Sequence, residues 1–254
     1  MKAFENLYDL HNHLLFGVDD GAKNSDDTCK MLQDAVKNHV KVIVATPHMA
    51  AGMNLDKYSA NFPIVEELAL QYGIRVLRGA EYAVRRLPAG PPYITSGGSK
   101  NGAVLADFRI PTFPPEFQHT LDNIFNDGHQ LIIAHPERSF TENMIQELGE
   151  LAGSGVIYQI TAASLLGLCG RQAYQMSCFM LEKSWAKIIA SDAHDSFGRP
   201  SLLQEAYQVI ARKYGIAAAE VLQENARSLI EEPANRLQNM PLKKRLFNIG
   251  SWFR

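Results

Sequence analysis

The sequence is poor in cysteine, and the few cysteines it has are not paired by spacing. Three occur among the 254 residues, at Cys29, Cys169 and Cys178, with no Cys-x-x-Cys motif. An odd number of isolated thiols is typical of a reducing compartment, so we expect a cytoplasmic protein without a disulfide framework. No arginine stands six residues after any of them, which excludes the Cys-x5-Arg loop of a cysteine phosphatase.

Long apolar runs and an excess of positive charge are also missing. No apolar run reaches the ~18 residues of a membrane span, and the N-terminus has no charged-then-apolar signal region. The formal net charge is -2. A chain of this charge offers no basic stripe, so nucleic acid is not an expected partner.

What the sequence does have is a series of short apolar runs separated by helical patterns. They are 7–10, 42–45, 74–77, 103–106, 131–134, 156–160 and 188–190. Valine and isoleucine without polar alternation indicate buried parallel strands. Seven such strands predict an α/β fold, a distorted seven-stranded β/α barrel, with an open doubly wound sheet as the alternative. Ser25 is predicted to cap the first helix, and residues 51–63 and 86–102 are predicted to be loops.

One barrel domain is expected over residues 1–232, followed by a basic and aromatic tail over 233–254. The tail interleaves Lys243, Lys244 and Arg245 with bulky apolar residues. Such a mixture is compatible with docking on an anionic membrane surface. A tail packed on its own barrel, or on a neighbouring subunit of a homo-oligomer, is favoured, because Pro241 and Gly250 interrupt any long amphipathic helix.

Polar residues follow almost every predicted strand. The positions are His11, His13, Asp19 and Asp20; His48; Glu81; Asp107; His135 and Arg138; and Asp192, His194 and Arg199. In a β/α barrel the carboxyl ends of the strands converge on one mouth, where active sites are built. Five of the eight histidines would therefore meet several carboxylates there.

This convergence predicts a site for more than one metal ion. His11 and His13 are two residues apart on a strand, so they face the same side and can share a cation. Imidazole and carboxylate without thiolate suit Mn, Fe or Zn. A lone histidine at a strand end is more often a hydrogen-bonded structural residue, but the combined pattern favours ligands. His39, His119 and His129 lie elsewhere and are predicted to be surface residues.

The motifs resemble a known superfamily. "DLHNHLLFGVDDG", "ATPH", "GAEY", "AHPER", "SLLG" and "IASDAH…RP" are similar to the polymerase and histidinol phosphatase (PHP) superfamily. Within it, they most resemble the bacterial manganese-dependent protein tyrosine phosphatases encoded with capsule and exopolysaccharide genes. The likeness runs in order from about residue 7 to residue 230.

The resemblance implies a centre of three Mn²⁺ ions, with Fe or Zn as alternatives. The first ion would be bound by His11, His13, Glu81 and Asp192; the second by Glu81, Asp107 and His135; the third by Asp20, His48 and His194. Arg138 and Arg199 match the phosphate-binding arginines of that family. Guanidinium groups suit this role because they grip phosphate oxygens with two donors.

Three departures from the family pattern stand out. Asp107 replaces the usual glutamate and is one methylene shorter, so the second ion is expected to be held through water or more weakly. Thr161 begins "TAAS" where the family has "NAGS", and the loop after His48 lacks an extra histidine. These departures bear on efficiency and substrate choice more than on reaction type.

The expected reaction is hydrolysis of a phosphomonoester by metal-activated water, with His48 or His194 lending a proton to the leaving group. The resemblance implies a substrate, the phosphotyrosine tail of a membrane-associated capsule kinase. Other functions stay open: a small-molecule phosphatase of the histidinol-phosphate type, an editing nuclease, which the charge disfavours, or a metal-stabilised interaction module with weakened catalysis.

Overall fold

The computed structural model describes residues 3–49, 54–88, 90, 93–98, 102–108, 115–139, 144–232 and 237–241. The strands in these residues are β1 Leu7–Asn12, β2 Val40–Ala45, β3 His48–Met49, β4 Arg75–Arg78, β5 Glu81–Ala83, β6 Ala103–Asp107, β7 Gln130–Ala134, β8 Ile157–Thr161 and β9 Ala186–Ala190. The α-helices are α1 Ser25–Lys37, α2 Leu55–Gln71, α3 Phe117–Asn126, α4 Ile145–Gly153, α5 Ala162–Leu165, α6 Arg171–Glu182, α7 Leu203–Tyr214 and α8 Ile216–Glu231.

The strands form two sheets in which every pairing is parallel. One sheet has the order β1-β2-β4, and the other has the order β3-β5-β6-β7-β8-β9. A single parallel bridge between Asn12 and Ala193 joins the end of β1 to the segment after β9. The predicted α/β fold with parallel strands is therefore confirmed, and the carboxyl ends of the strands are brought together at one end of the molecule.

All seven apolar runs lie within or overlap strands, and two short strands were not predicted. These are β3 and β5, which are two and three residues long and begin at His48 and Glu81. Neither has an apolar run to signal it. Because β4 and β5 belong to different sheets, a closed seven-stranded barrel is not confirmed.

Two local predictions were wrong. Residues 55–63 are helical, because Asn54 accepts a hydrogen bond from the backbone of Lys57 and caps α2. That helix continues through Pro63 by burying a stripe of apolar side chains. The stripe consists of Tyr58, Phe62, Val65 and Ala69. Helix α1 is capped by Asn24 and not by Ser25, its first residue.

The described part of the tail packs on the end of the molecule opposite the strand carboxyl ends. Asn225 of α8 donates to the carbonyl of Gln238 at 3.0 Å and accepts from its backbone N–H at 2.7 Å. Met240 is buried. The basic and aromatic residues predicted to touch a membrane lie outside the described residues. Among the helices that are described, none is both long enough and apolar enough to span a membrane.

Candidate metal centre

Four candidate ligands lie near one another, His11 and His13 at the carboxyl end of β1, Glu81 at the first residue of β5, and Asp192 just after β9. His11 Nε2 and His13 Nε2 are 3.1 Å apart, and Asp192 Oδ1 is 3.4 Å from each of them. Glu81 Oε2 is 3.4 Å from His11 Nε2 and 3.5 Å from His13 Nε2. Ligand atoms bound at ~2.1 Å around one cation are separated by ~3.0–3.4 Å. The ligand atoms of His11, His13 and Asp192 therefore have the spacing of a coordination shell, and Glu81 Oε2 lies at a similar distance from both histidines.

Two neighbouring side chains set the protonation of the paired histidines. His11 donates from Nδ1 to Gln159 Oε1 at 2.8 Å, and His13 donates from Nδ1 to Asp19 Oδ2 at 2.6 Å. With the protons on Nδ1, both Nε2 atoms present lone pairs to each other. This arrangement leaves both Nε2 atoms able to bind a metal ion and is the usual way in which a protein orients metal-binding imidazoles.

Glu81 also fits a metal better than a hydrogen-bond network. Its Oε2 atom is buried and takes part in no hydrogen bond of acceptable geometry in the described residues, although His48 Nδ1 is 2.7 Å away. Its other oxygen, Oε1, is 2.9 Å from His135 Nε2. A carboxylate surrounded by imidazole nitrogens at both oxygens is suited to bridging two cations.

The second group of potential ligands contains His11, Glu81 and His135, whose ligand atoms lie within 4.8 Å of one another. Asp107 is at its edge, since its Oδ1 is 3.8 Å from His135 Nδ1, the ring nitrogen opposite the one that faces Glu81. The set of Glu81, Asp107 and His135 is thus only partly gathered, and the ligand role of Asp107 stays a prediction.

The third group contains His13 together with the predicted set of Asp20, His48 and His194. Asp20 Oδ1 is 3.4 Å from His48 Nε2 and 3.5 Å from His194 Nε2. The buried Nε2 of His194 has no hydrogen-bond partner in the described part of the chain. Asp20 and His48 are the solvent-facing members, with side-chain exposures of 63% and 24%.

Both predicted phosphate-binding arginines are held by the carboxylate of Asp192. Arg138 and Arg199 each donate from Nη2 to Asp192 Oδ2, Arg199 at 2.8 Å. Arg138 Nη2 also donates to the hydroxyl of Thr161 at 2.6 Å. Asp192 thus turns one oxygen to the histidines and the other to the guanidinium groups. Thr161, which departs from the family pattern, orients an arginine through its hydroxyl.

Strained backbone and a close approach shape the ligand loops. His135 and Asp192 have positive φ angles of 34° and 52°. Non-glycine residues held in this region cost energy and often mark functional sites. A Cβ atom on Gly21 would lie 2.1 Å from the carbonyl oxygen of His13, so only glycine fits there. This contact anchors the loop that carries Asp19 and Asp20 directly against His13.

Electrostatics keep Glu81 and Asp192 ionised. Burial raises the pKa values of Glu81 and Asp192, but the surrounding imidazoles, His11 foremost, lower them further, so both lie well below their usual range. Burial lowers the pKa of His13, yet Asp19, Asp192 and Glu81 raise it to about 10. Burial and the charge of His13 lower the pKa of His194 to about 4. The cluster therefore attracts positive charge, as a cation site does.

Sequence reasoning missed one residue at this site and left another ambiguous. Gln159, a wholly buried residue of β8, orients His11, and no motif singled it out. Asp19, which the sequence could not assign, orients His13 and accepts from the backbone of His48 at 3.0 Å. The three histidines predicted to be surface residues make contacts away from the cluster, such as His39 with Glu5.

These observations define the chain as a parallel α/β protein with a histidine- and carboxylate-rich candidate metal centre at its strand ends. A family model described as capsular polysaccharide synthesis, CpsB/CapC, matches residues 7–231. The chain belongs to this family, and the resemblance predicted from the motifs is confirmed.

Individual relatives match along most of their length. The tyrosine-protein phosphatase CpsB of Streptococcus pneumoniae is 29% identical over 88% of this chain and 98% of its own. A putative tyrosine-protein phosphatase, CapC of Staphylococcus aureus, is 32% identical over 79% of this chain and 82% of its own. A structure from a study of Bacillus subtilis YwqE and pneumococcal CpsB, named there as metal-dependent tyrosine phosphatases, matches with a TM-score of 0.80. It has 26% identity and covers 94% of this chain and 100% of that one.

Asp107→Glu is expected to strengthen binding of the most weakly held metal ion about tenfold, in the range that supporting residues contribute. The longer side chain reaches about 1.5 Å further toward the 3.8 Å gap at His135. Metal content after dialysis against graded Mn²⁺ measures the effect, and Asp122→Glu, an exposed acid on α3, is the control. Unchanged affinity would show that Asp107 does not limit the site.

Proposed function

We propose that this protein is a metal-dependent phosphomonoesterase that hydrolyses phosphotyrosine in proteins. The observation that carries the proposal is Asp192, whose one oxygen faces the His11 and His13 nitrogens while the other holds two arginines. A cation cluster directly beside two guanidinium groups is suited to a phosphoryl group, which carries charge on all its peripheral oxygens. The tyrosine-protein phosphatase names of the CpsB and YwqE relatives support the same activity.

Mn²⁺ is the proposed metal, with up to three ions in the cluster. The ligands would be His11, His13, Asp20, His48, Glu81, Asp107, His135, Asp192 and His194. This donor set is free of thiolate and mixes imidazole with carboxylate, which suits Mn²⁺, with Fe or Zn as alternatives. When bound, such ions supply Lewis-acid charge that polarises phosphoryl oxygens and activates water.

Arg138 and Arg199 are proposed to hold the phosphoryl group. Each uses Nη2 on Asp192, and among the described residues Nη1 of neither has a carboxylate partner. The remaining N–H groups are available to the phosphoryl oxygens. The hydrogen bonds to Asp192 position both guanidinium groups before the substrate binds. Such preorganised donors stabilise charge as it develops in the transition state.

The protons are proposed to move through His48. Its side chain is 24% exposed, whereas those of the other four histidines of the cluster are at most 4% exposed. His48 is therefore the histidine of the cluster best placed to exchange a proton with solvent when it is not bound to a metal ion, and His194 is the alternative proton donor. A tyrosine phenolate, with a solution pKa of ~10, leaves more easily than an alkoxide and needs less acid assistance.

The proposed protein partner is the phosphotyrosine-bearing tail of a membrane-associated kinase in capsule synthesis. The family description, capsular polysaccharide synthesis, supports this assignment. We propose a cytoplasmic location with it, since the substrate would be presented on that side. Contact of the tail, residues 233–254, with the membrane is a secondary proposal that is not favoured over packing on the barrel, and homo-oligomerisation is another secondary proposal.

We further infer that residues 1–232 are one domain whose seven predicted strands close a distorted barrel, with β3 continuing β2 and β5 continuing β4. The hydrogen bonds from Thr46 N to Asn12 O at 2.9 Å, and from Glu81 N to Pro47 O at 3.1 Å, support this continuity. The bridge between Asn12 and Ala193 would complete the ring. A crystal structure with β4 and β5 in separate layers would contradict it.

The substrate assignment is tested with metal-reconstituted protein on a phosphotyrosine peptide and on histidinol phosphate. We expect kcat/KM to be at least about tenfold higher for the peptide, because the phenolate leaves more readily than an alkoxide. Preference for histidinol phosphate would support the small-molecule alternative. Fully metallated protein that does not hydrolyse p-nitrophenyl phosphate would support an interaction module.

A further inference from the structure

A phenylalanine lies wholly in solvent on the loop between a candidate metal ligand and a candidate phosphate-binding residue. Phe197 is 96% exposed. The loop closes on itself, since the backbone N–H groups of His194 and Asp195 both donate to the carbonyl of Arg199, at 3.0 and 3.4 Å. Phe197 therefore lies at the tip of a short loop that starts and ends at the candidate active site.

This loop is braced by one carboxylate. Asp195 Oδ1 accepts hydrogen bonds from the backbone N–H groups of Phe197 at 2.7 Å, of Gly198, and of Arg199 at 3.2 Å. These three hydrogen bonds hold the backbone from Asp195 to Arg199 in one conformation. The phenyl ring is thus presented on a fixed backbone.

A second exposed apolar side chain lies on the neighbouring loop. Leu168 is 68% exposed and lies just after α5, the short helix that follows β8. Because β8 pairs with β9 in parallel, the segments after both strands leave the same end of the sheet. The backbone N–H of Leu168 donates to the carbonyl of Ala163 at 3.0 Å, which fixes this loop too. The next residue, Cys169, lies near the guanidinium group of Arg138.

These two residues differ from the other exposed large apolar side chains in the described chain. The others lie on helix surfaces, at Val36, Leu55, Ile64, Leu70 and Ile216. Scattered apolar residues on helices are ordinary, whereas apolar residues grouped beside charged groups mark interaction surfaces. Phe197 lies two residues before Arg199, and Leu168 is next to Cys169, a neighbour of Arg138.

We propose that Phe197 and Leu168 form an apolar rim that contacts the residues flanking the phosphotyrosine of a peptide substrate. The inference rests on the proposed function. Arg138 and Arg199 hold the phosphoryl group, and the residues of the bound peptide that flank the phosphotyrosine lie over the rim. The rim therefore selects peptides with apolar or aromatic neighbours over small phosphate esters, because covering the exposed phenyl ring removes apolar surface from water while its backbone is already held.

The test measures binding and turnover separately. Metal-loaded wild type, Phe197→Ser, Leu168→Ser and the control Leu70→Ser are compared. The probes are a peptide carrying a non-hydrolysable phosphonate in place of phosphotyrosine, with leucine and tyrosine flanks, and its version with glycine and serine flanks. Leu70 is 68% exposed, like Leu168, and lies on α2 near its C-terminal end. Fluorescence anisotropy reports Kd, and light scattering reports oligomeric mass.

Phe197→Ser is expected to weaken binding of the apolar-flanked peptide about tenfold, with a smaller effect of Leu168→Ser and none of Leu70→Ser. The affinity of these variants for the glycine-flanked peptide should fall much less. KM for the hydrolysable apolar peptide should rise in parallel, while kcat changes little. Equal losses for both peptides, or no difference from Leu70→Ser, would overturn the proposal.

A change in oligomeric mass with unchanged peptide binding would also overturn it, because the rim would then be a contact between copies of the chain. Failure of the proposed function looks different. In that case wild type does not hydrolyse p-nitrophenyl phosphate or phosphotyrosine, whereas the dependence of peptide binding on the rim is measured without turnover.

Discussion

Removal of the metal ions is expected to lower hydrolysis of p-nitrophenyl phosphate by about a thousandfold or more, and Mn²⁺ is expected to restore it. The structure gives the physical reason. His11 Nε2 and His13 Nε2 are 3.1 Å apart with their Nδ1 atoms directed to Gln159 and Asp19, so both Nε2 atoms face a position that a metal ion would occupy. Chelation, activity and metal content of the same samples measure the effect.

A second readout does not depend on activity. Ions that bind only the folded state stabilise it, so the thermal midpoint is expected to fall on chelation and to recover with Mn²⁺. His13→Ala should lose both the metal and this stabilisation, whereas His39→Ala, at a surface ion pair with Glu5, should keep both. Full activity in protein shown to be free of metal would refute the metal-dependent mechanism.

Arg138→Ala is expected to lower kcat/KM for a phosphotyrosine peptide about a hundredfold, the usual loss for one preorganised donor to transition-state charge. The group is suited to this role because Thr161 and Asp192 hold it in place and its side chain is 25% exposed toward the mouth. Steady-state kinetics and inhibition by inorganic phosphate measure the loss. Arg227→Ala, which removes a surface arginine paired with Glu224 and Glu232, is the matched control.

Metal content of Arg138→Ala separates two roles that the geometry allows. If the arginine binds phosphate, the variant retains its metal and loses affinity for phosphate. If it mainly neutralises Asp192, metal is lost and the phosphate role is wrong. Arg199→Ala should behave similarly with a smaller effect, because its side chain is 41% exposed and its donors are more hydrated.

The strand pattern was predictable because each of seven buried strands consists largely of apolar residues. Such runs can be recognised in the sequence without tertiary information. Strands β3 and β5 were not predictable, since His48 and Glu81 begin them and their pairing comes from neighbouring strands rather than from their own side chains. Helix α2 was mistaken for a loop because Pro63 is a strong local signal. Burial of Tyr58 and Phe62 against the core outweighs it.

For the candidate centre, the residue types and their positions after the strands were predictable, and the set gathered at one end of the sheets includes His11, Glu81 and Asp192. The residues that orient these ligands from other strands were not predictable. Gln159 is 148 residues from His11 in sequence and orients it from another strand. Nor does any motif indicate that Arg138 and Arg199 share one oxygen of Asp192, because that contact depends on where two loops are held.

By itself, then, the sequence determined the family, the parallel α/β fold and the chemistry at the strand ends, because periodicity and residue type are local properties. Tertiary structure alone decided how the ligands group, where Asp107 lies at 3.8 Å from His135, and which acids orient the imidazoles. The reason is physical. Coordination depends on distances of a few tenths of an ångström between atoms far apart in sequence, and only the packed strands and their strained loops define these distances.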